Sequence, residues 1–264
     1  MLMYRQVLQP STLEEAVALM KKQKWAPLLA GGCWIGLGTR KYPAVIDLSG
    51  LNLRYIKETE SNYYVGAMAT QGDVEEYEAF KTLGKGILPK AIHTILGVQF
   101  RNMATMGGSV AARFGFSDII PSLLALDARV RLQENGEMSL LEYLSFTARD
   151  LLVEIIIPKK EQPVAALAFR KSVSDFPYLS GAICKNETGY HIYVGGRPAR
   201  AIEAVKAGQI LTSQGTEALA LCLDALVEEV RFQTNSHASA EYRQAMAKVM
   251  VKRLVQEVEQ WTCN

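Results

Sequence analysis

The pattern of apolar and polar positions along this chain predicts short strands interspersed with helices. Ser11 and Glu14 have the spacing of a helix capping box, and the apolar positions that follow predict a helix over about 12–22. Apolar runs at 25–30 and 44–48 predict two strands, and a glycine-rich turn follows the first of them. The N-terminal part is therefore predicted to form a small β-α-β-like block.

The next part of the chain is predicted to mix strands and helices in the same way. Thr70 and Ser117 are suited to begin helices, because short hydroxyl side chains are favoured N-caps. The pattern predicts strands at 53–56, 63–68, 128–133 and 152–157, and helices at 70–80, 86–96 and 118–126. These elements make a second α+β block.

A short charged segment closed by prolines, PKKEQP at 158–163, is the predicted boundary between two domains. Beyond it the pattern predicts strands at 164–171, 178–185 and 190–195, and helices at 202–206, 215–230 and 240–259. The polar segment 186–189 is the expected hairpin turn between the last two strands.

These elements predict an α+β protein with two domains. The first domain extends over 1–160 and is divided into subdomains of about 1–52 and 53–160. The second extends over 161–264 and combines a three-stranded antiparallel sheet with helices. The total of 264 residues is enough for such a pair, each with a core of its own.

The composition excludes several classes of protein. A net charge of +2 leaves no basic patch for nucleic acid or for a membrane surface. The longest apolar run is too short to span a bilayer, and the N-terminus lacks the pattern of a secretory signal. We therefore expect a cytoplasmic protein that binds neither nucleic acid nor membrane.

Cysteines and histidines are scattered along the chain. None of them has the spacing of a metal-binding motif, so we expect neither zinc nor an iron–sulfur cluster here. The cysteines are expected to be buried thiols, and they are Cys33, Cys184, Cys222 and Cys263. The histidines His93, His191 and His237 are expected to be structural or solvated and not catalytic.

Two glycine-rich stretches carry the candidate chemistry. The first is LLAGGCWIGLG at 28–38, and the second is RNMATMGGSVAARFGFSDIIPSLLALD at 101–127. Paired glycines let a backbone approach a ligand closely, and free N–H groups beside small hydroxyl side chains form an anion-binding concavity. Two such loops that converge would supply donors to a pyrophosphate from both sides.

Alternatives to this interpretation stay open on local pattern alone. The first stretch does not fit GxGxxG, and no Walker loop is present, so a Rossmann domain and a P-loop are both excluded. A single glycine pair is as typical of a turn as of a ligand site. Asp118 would repel phosphate, so it either accepts hydrogen bonds from sugar or ribityl hydroxyls or occupies the first turn of a helix, where a carboxylate is favoured anyway.

The two motifs together resemble the FAD-binding medium subunit of the molybdenum hydroxylases, the family of xanthine and carbon monoxide dehydrogenases. The pairing of xLLAGGxxxxG with RNxATxGGSxAxxxxxSDxxPxLLALDAxV carries the resemblance, which covers nearly the whole chain and includes Tyr242-Arg243. It implies a PCMH-type FAD-binding fold of two subdomains, followed by a C-terminal domain like that of carbon monoxide dehydrogenase flavoproteins.

The resemblance also implies which residues bind FAD. The first loop around the pyrophosphate is Leu28, Leu29, Ala30, Gly31, Gly32, Cys33, Trp34 and Ile35, and the second is Thr105, Met106, Gly107, Gly108 and Ser109. Asp118 takes the hydroxyl-binding role, and Ile95 is an apolar contact before the second loop. Leu152 and Lys171 resemble residues that contact the adenine and isoalloxazine ends of FAD. Leu179 resembles a residue that shields one face of the flavin ring.

This sequence departs from the family pattern at both loops. Cys33-Trp34 replaces a small hydroxyl residue and an acidic or small residue, and Ser109 replaces a frequent asparagine but keeps a hydrogen-bond donor. Neither change removes a backbone N–H group, so the resemblance still implies FAD binding. No residue is expected to act as a catalytic acid or base.

The function that the resemblance implies is electron transfer. A partner with molybdopterin hydroxylates the substrate, expected to be a purine or a related heterocycle, and a second partner holds iron–sulfur clusters. This chain would pass electrons through FAD to NAD or another acceptor. The alternatives are a stand-alone flavin reductase of the related cell-wall precursor type and a flavin-less assembly subunit.

Overall fold

The computed structural model describes residues 3–95 and 97–261. These residues divide into two compact units that do not follow the order of the chain. Unit 1 comprises 3–74, 97–112 and 129–157, and unit 2 comprises 75–95, 113–128 and 158–261.

Strands and helices occur in both units. The strands are β1 (Met3–Leu8), β2 (Leu28–Leu29), β3 (Lys41–Asp47), β4 (Ile56–Glu58), β5 (Asn62–Gly66), β6 (Arg129–Leu132), β7 (Gly136–Ser139), β8 (Leu152–Pro158), β9 (Val164–Phe169), β10 (Leu179–Asn186), β11 (Gly189–Gly195) and β12 (Ile202–Glu203). The helices are α1 (Leu13–Lys22), α2 (Gln71–Glu76), α3 (Glu78–Thr82), α4 (Ile87–His93), α5 (Val98–Arg101), α6 (Met106–Ala111), α7 (Ile119–Ala125), α8 (Leu140–Ser145), α9 (Val205–Gln214), α10 (Leu219–Glu229) and α11 (Ala240–Glu259).

Unit 1 contains two sheets. The first has the order β1-β3-β2, and both of its pairings are parallel. The second has the order β4-β5-β8-β6-β7, and β8 in its middle is buried along almost its whole length. The sequence of β8, LVEIIIP, is apolar except for Glu154, which forms an ion pair with Arg131. Such a run is typical of a central strand that is covered on both faces.

Unit 2 is built on one four-stranded antiparallel sheet with the order β12-β11-β10-β9. The predicted three-stranded sheet was one strand short, because Ile202–Glu203 pairs with β11 as an edge strand. Neighbouring positions of β10 point to opposite faces of the sheet. The Ser180 hydroxyl donates to the carbonyl of Ser117 just before α7, whereas Gly181 lies against Met250 of α11. Helix α7 therefore packs on one face and α11 on the other.

One fully buried cation ties unit 2 together. The Arg243 guanidinium on α11 donates to five acceptors, four of which are main-chain carbonyls: Tyr178, Gly196, Gln233, Ala238 and the Asn235 side chain. Such complete satisfaction lets a charge occupy a core position without a carboxylate beside it. The arginine thereby joins strand ends to the loop that precedes its own helix.

Several predicted elements are confirmed by the structure. Helix α11 spans the predicted 240–259, and the hairpin over 186–189 joins β10 to β11 as expected. The Thr70 hydroxyl accepts a hydrogen bond from the Asp73 N–H at 3.0 Å, and that of Ser117 accepts one from the Ile120 N–H at 3.1 Å. Both predicted N-caps are therefore correct.

Other predictions were wrong in detail. The Thr12 hydroxyl caps α1, and the Glu15 carboxylate accepts a hydrogen bond from the Ser11 N–H. The capping contacts therefore lie one residue later than predicted. The expected strand at 25–30 is reduced to Leu28–Leu29, and Trp25 is 75% exposed. The predicted helix at 202–206 is strand β12 followed by α9. The predicted helix at 70–80 is interrupted at Tyr77, and the one at 86–96 spans Ile87–His93; its predicted end, Leu96, lies outside the described residues.

Candidate functional site

The first glycine loop begins where a short parallel strand ends. Leu28 and Leu29 pair with β3, and the chain then turns through Gly31 and Gly32. A Cβ atom on Gly31 would lie 1.8 Å from the carbonyl oxygen of Met103, and Gly32 has a φ of 71°. Glycine is therefore required at 31 by close approach and at 32 by backbone conformation.

The contact at Gly31 brings the two loops together. Met103 and Ala104 directly precede Thr105, and their backbone lies against Gly31. Two segments separated by about seventy positions in the sequence thus meet within unit 1, as the sequence predicted. Because a Cβ atom at position 31 would collide with the Met103 carbonyl oxygen, a larger residue there would push the two loops apart.

The first three backbone donors of the first loop, at 31–33, have no acceptor among the described residues. Within 3–95 and 97–261, the N–H groups of Gly31, Gly32 and Cys33 make no hydrogen bond. These residues are half-buried, and the Gly36 N–H closes the turn on the Gly32 carbonyl at 2.9 Å. Successive N–H groups without internal acceptors form the type of concavity that binds anions.

The second loop is different, because it is the start of helix α6. Thr105 is the N-cap, and its hydroxyl accepts the Gly108 N–H at 3.1 Å. Met106 and Gly107 donate to the carbonyls of Ala69 and Ala67, and Ser109 donates to that of Thr105. All four N–H groups of 106–109 therefore have acceptors in the protein. The expectation that both loops offer free N–H groups was wrong for this one.

The two glycines of the second loop have different roles. A Cβ atom on Gly107 would lie 2.6 Å from the Ala67 carbonyl oxygen, so this glycine packs against the end of β5. Gly108 is exposed, and a Cβ there would meet only the Thr105 hydroxyl, at 2.8 Å. Of the pair, Gly108 is the one that faces away from the protein.

Ser109 is held by a residue that sequence reasoning missed. Its hydroxyl donates to the Thr105 carbonyl at 2.8 Å and accepts from the Gln71 side-chain amide at 3.1 Å. Because its proton is already used, Ser109 does not keep the free donor that was expected of it. Gln71 is 4% exposed, and its Oε1 atom has no partner among the described residues. No local motif indicates this contact, because 38 positions separate the two residues.

Asp118 lies in unit 2 at the start of α7. Its carboxylate forms an ion pair with Arg170, and only 8% of its side chain is exposed. Burial raises the pKa of the Asp118 carboxyl to about 6, although Arg170 acts in the opposite direction. Arg170 also donates to the Thr94 carbonyl at 2.8 Å and to the Thr94 hydroxyl at 3.2 Å. This half-buried cation was missed because the family motif pointed to its neighbour Lys171, which is exposed.

A cavity of about 240 Å³ within unit 2 borders this ion pair. Small side chains on β9 leave room for it, and polar groups of α4 and α7 face it. Its lining includes Ala91, Thr94, Asp118, Ser122, Ala166 and Arg170. The half-buried ion pair is therefore next to open space and not enclosed on all sides.

The other predicted FAD contacts are distributed over both units. Leu152 is 5% exposed on β8 of unit 1, and Leu179 is fully buried on β10 of unit 2. Ile95 is half-buried just after α4, and Lys171 is exposed just after β9. The side chain of Leu179 is thus part of the core of unit 2, which the sequence did not predict.

The cysteines and histidines have ordinary surroundings. Burial raises the pKa of the Cys184 thiol to about 12 and that of Cys222 to about 11, and it also raises the pKa of the half-buried Cys33 thiol. Cys263 lies outside the described residues. His93 contacts Glu75, and His191 contacts Glu203, each at 2.7 Å. In the described part of the chain no group of three His, Cys, Asp or Glu side chains is suited to hold a metal ion.

Two family descriptions match the chain. Residues 3–160 match the FAD binding domain in molybdopterin dehydrogenase, and residues 165–258 match the CO dehydrogenase flavoprotein C-terminal domain. The first match alone covers more than half of the chain. The chain belongs to this family. It is therefore an FAD-binding oxidoreductase chain, and the resemblance inferred from its two loops is confirmed.

Similar proteins agree with this assignment. A nicotinate dehydrogenase FAD-subunit from Eubacterium barkeri is 28% identical over 188 residues, which cover 62% of this chain and 63% of the relative. The uncharacterized protein YgfM from Escherichia coli K12 is 26% identical over 266 residues, or 98% of both chains.

The fold also matches solved structures. A chain of the carbon monoxide dehydrogenase from Hydrogenophaga pseudoflava that lacks the Mo-pyranopterin moiety matches with a TM-score of 0.86 and 24% identity, over 96% of both chains. The predicted α+β fold is therefore confirmed. No helix among the described residues of this FAD-binding chain has the length and apolar character needed to cross a membrane.

Proposed function

We propose that this chain is the FAD-binding electron-transfer subunit of a multi-subunit molybdenum hydroxylase. In this role it receives electrons from the iron–sulfur clusters of one partner, while another partner with molybdopterin oxidises the substrate. NAD or another acceptor then takes the electrons. The names of two similar proteins, a nicotinate dehydrogenase FAD-subunit and a carbon monoxide dehydrogenase described by reference to its molybdenum cofactor, support a flavin subunit that works beside a molybdenum centre.

The observation that carries the proposal is the geometry of the first loop. Three successive N–H groups at 31–33 have no acceptor among the described residues, and Gly31 packs closely against the backbone of Met103. A pyrophosphate needs several donors that point the same way. The residues of this loop therefore fit the diphosphate of FAD.

The chain's own residues have distinct roles in this proposal. Gly31, Gly32 and Cys33 donate their N–H groups to the diphosphate, and Gly108 lets the ligand approach the second loop closely. Asp118 accepts a hydrogen bond from a hydroxyl through the carboxylate oxygen that Arg170 does not bind. Ile95, Leu152, Lys171 and Leu179 remain proposed contacts of the adenine and ring ends.

Bound FAD supplies the exchange between one-electron and two-electron transfer, which side chains alone do not provide. The protein then needs to orient the cofactor and exclude water, and it needs no acid or base of its own. We propose that the complex works in the cytoplasm, and that its substrate is a purine or a related heterocycle.

Co-purification tests the proposal. The tagged chain is expressed together with candidate molybdopterin and iron–sulfur subunits, and the purified complex is analysed for flavin, molybdenum and iron. We expect all three in one complex whose flavin is reduced when substrate is added. A chain that oxidises a purine with NAD when purified alone, or that takes up no flavin from added FAD, would contradict the subunit role.

A further inference from the structure

Arg149 makes an unusual set of contacts in unit 1. It lies between α8 and β8, and its guanidinium donates to the carbonyl oxygens of Met20 at 2.8 Å, Gln23 at 3.2 Å and Lys24 at 2.9 Å, and to that of Ala26 as well. Burial lowers its pKa, and among the described residues no carboxylate forms an ion pair with it. Among the described residues its guanidinium therefore has only main-chain carbonyls as hydrogen-bond acceptors.

All four carbonyls belong to one short segment of chain. Met20 is in the last turn of α1, Gln23 is its C-cap, and Lys24 and Ala26 follow. The last carbonyls of a helix have no partner within the helix, and they carry the negative end of its dipole. A guanidinium satisfies several of them at once because its donors form a planar fork.

The same segment leads directly into the first loop. Two positions after Ala26 the chain enters β2, where the carbonyls of Pro27 and Leu29 accept hydrogen bonds from Ile46 and Leu48 at 3.0 and 2.9 Å. The segment 20–29 is thus fixed by Arg149 and by the neighbouring strand β3. After Ala30 the chain reaches Gly31, the first of the three residues whose N–H groups have no acceptor among the described residues.

We infer that Arg149 is a positioning residue for FAD, because it fixes the segment from which the loop at 31–33 extends. The inference rests on the proposed role of that loop in holding the diphosphate. A strand of only two residues has little pairing of its own, so the start of the loop depends on what anchors the segment before it. Arg149 would then affect FAD affinity without touching the cofactor.

A merely structural role makes a different prediction. If Arg149 only terminates α1, its removal lowers the unfolding temperature but leaves the affinity of the folded protein for FAD unchanged. If it positions the loop, affinity falls even well below the unfolding temperature. The loss should concern the phosphate-bearing ligands FAD and ADP more than riboflavin, which has no phosphate.

The test uses the full chain, stripped of flavin, with Arg149→Ala, Arg149→Lys and the control Arg129→Ala. Arg129 belongs to the same unit and forms a surface ion pair with Glu137 at 3.2 Å. FAD affinity is measured by quenching of flavin fluorescence, and unfolding is followed by circular dichroism. We expect FAD to bind about tenfold more weakly to both Arg149 variants than to the wild type, equivalent to about 1.4 kcal/mol. The control Arg129→Ala should bind FAD with the affinity of the wild type.

Added guanidinium ion at low millimolar concentration provides a second measurement, because it can occupy the space left by the side chain in Arg149→Ala. We expect it to restore FAD affinity in that variant and to have no effect on the wild type. Unchanged FAD affinity in both Arg149 variants would overturn the inference while the proposed function stands. Absence of FAD binding by the wild-type chain would instead count against the proposed function.

Discussion

The two glycine pairs of this chain look alike in sequence and differ in structure. Gly31-Gly32 begins a loop whose first three N–H groups have no acceptor among the described residues, whereas Gly107-Gly108 lies in the first turn of α6, where each N–H has one. A glycine pair with small polar neighbours therefore does not by itself indicate free donors. A backbone N–H group is available to a ligand only if no neighbouring carbonyl or hydroxyl oxygen already accepts its hydrogen bond.

The largest effect should come from breaking the contact that joins the loops. In Gly31→Val, a Cβ 1.8 Å from the Met103 carbonyl cannot be accommodated without moving one loop away from the other. We expect loss of measurable FAD binding and a decrease of at least about 3 kcal/mol in the free energy of unfolding. Urea unfolding and fluorescence titration measure the two quantities.

The matched control is Gly36→Ala, in the same loop. A Cβ at Gly36 would meet nothing within 4 Å. The unfolding free energy of this variant should stay within about 0.5 kcal/mol of the wild type. Equal FAD affinity in Gly31→Val and the wild type would show that the meeting of the loops is irrelevant to the cofactor.

Asp118 extends the comparison to unit 2, because one of its oxygens is already bound by Arg170. Its folded pKa of about 6 is raised above the ordinary 3.8, so the folded protein holds this proton more tightly than the unfolded chain. The contribution of Asp118 to the free energy of unfolding is therefore fully present below about pH 4 and is lost as the pH rises through about 6. The loss should be on the order of 3 kcal/mol.

Asp118→Asn should remove this part of the pH dependence, as measured by urea unfolding at several pH values. If the second carboxylate oxygen accepts from a hydroxyl of FAD, the variant should also weaken FAD binding by about 1.5–3 kcal/mol above pH 6. Unchanged affinity would reject the proposed hydroxyl-binding role and leave Asp118 with the ion pair alone.

The second loop allows a comparison between adjacent residues. In Gly107→Ala, the added Cβ would lie 2.6 Å from the Ala67 carbonyl, and we expect a decrease of about 2 kcal/mol in stability. In Gly108→Val the protein should still fold, because only the Thr105 hydroxyl lies close. Since the N–H of Gly108 is already used, this side chain can weaken FAD binding only by occupying the space of the ligand.

Purified Gly108→Val should therefore be folded by circular dichroism and depleted of flavin by absorbance. Gly107→Ala, once folded at low temperature, should still bind FAD. The opposite result, with flavin retained by Gly108→Val and lost from folded Gly107→Ala, would show that Gly107 and not Gly108 faces the ligand.

Sequence patterns predicted the parts of this fold that depend on local order. Helix α11 was predicted from its apolar stripe, and the hairpin at 186–189 from its polar turn. Helix α6 was missed because a glycine pair disfavours a helix, and only contacts with Ala67 and Ala69 of another segment compensate for this. Local propensity is a weak guide wherever distant segments supply the hydrogen bonds.

The site was predictable to the same extent. The family motif predicted both loops and Asp118, since spacing along the chain is sufficient to recognise them. Gln71, Arg149 and Arg170 were missed, because each contacts a partner far away in the sequence and belongs to no motif. These residues restrain or anchor the predicted ones, and only the three-dimensional structure reveals such support.

The smallest expected effect concerns Ser109, whose hydroxyl proton is already donated to Thr105. Ser109→Ala removes the acceptor of the Gln71 amide, so stability should fall by about 1 kcal/mol. FAD affinity should change less than about twofold, equivalent to less than about 0.4 kcal/mol, because no donor to the cofactor is lost.

The double variant Ser109→Ala with Gln71→Leu separates these effects. Leucine removes the amide that would otherwise be left buried without a partner, and replacing both partners of a hydrogen bond by apolar groups is nearly neutral. Its stability should therefore recover most of the loss seen in Ser109→Ala. A clear loss of FAD affinity in Ser109→Ala alone would instead mean that the hydroxyl turns toward the cofactor, and that the second loop supplies a donor after all.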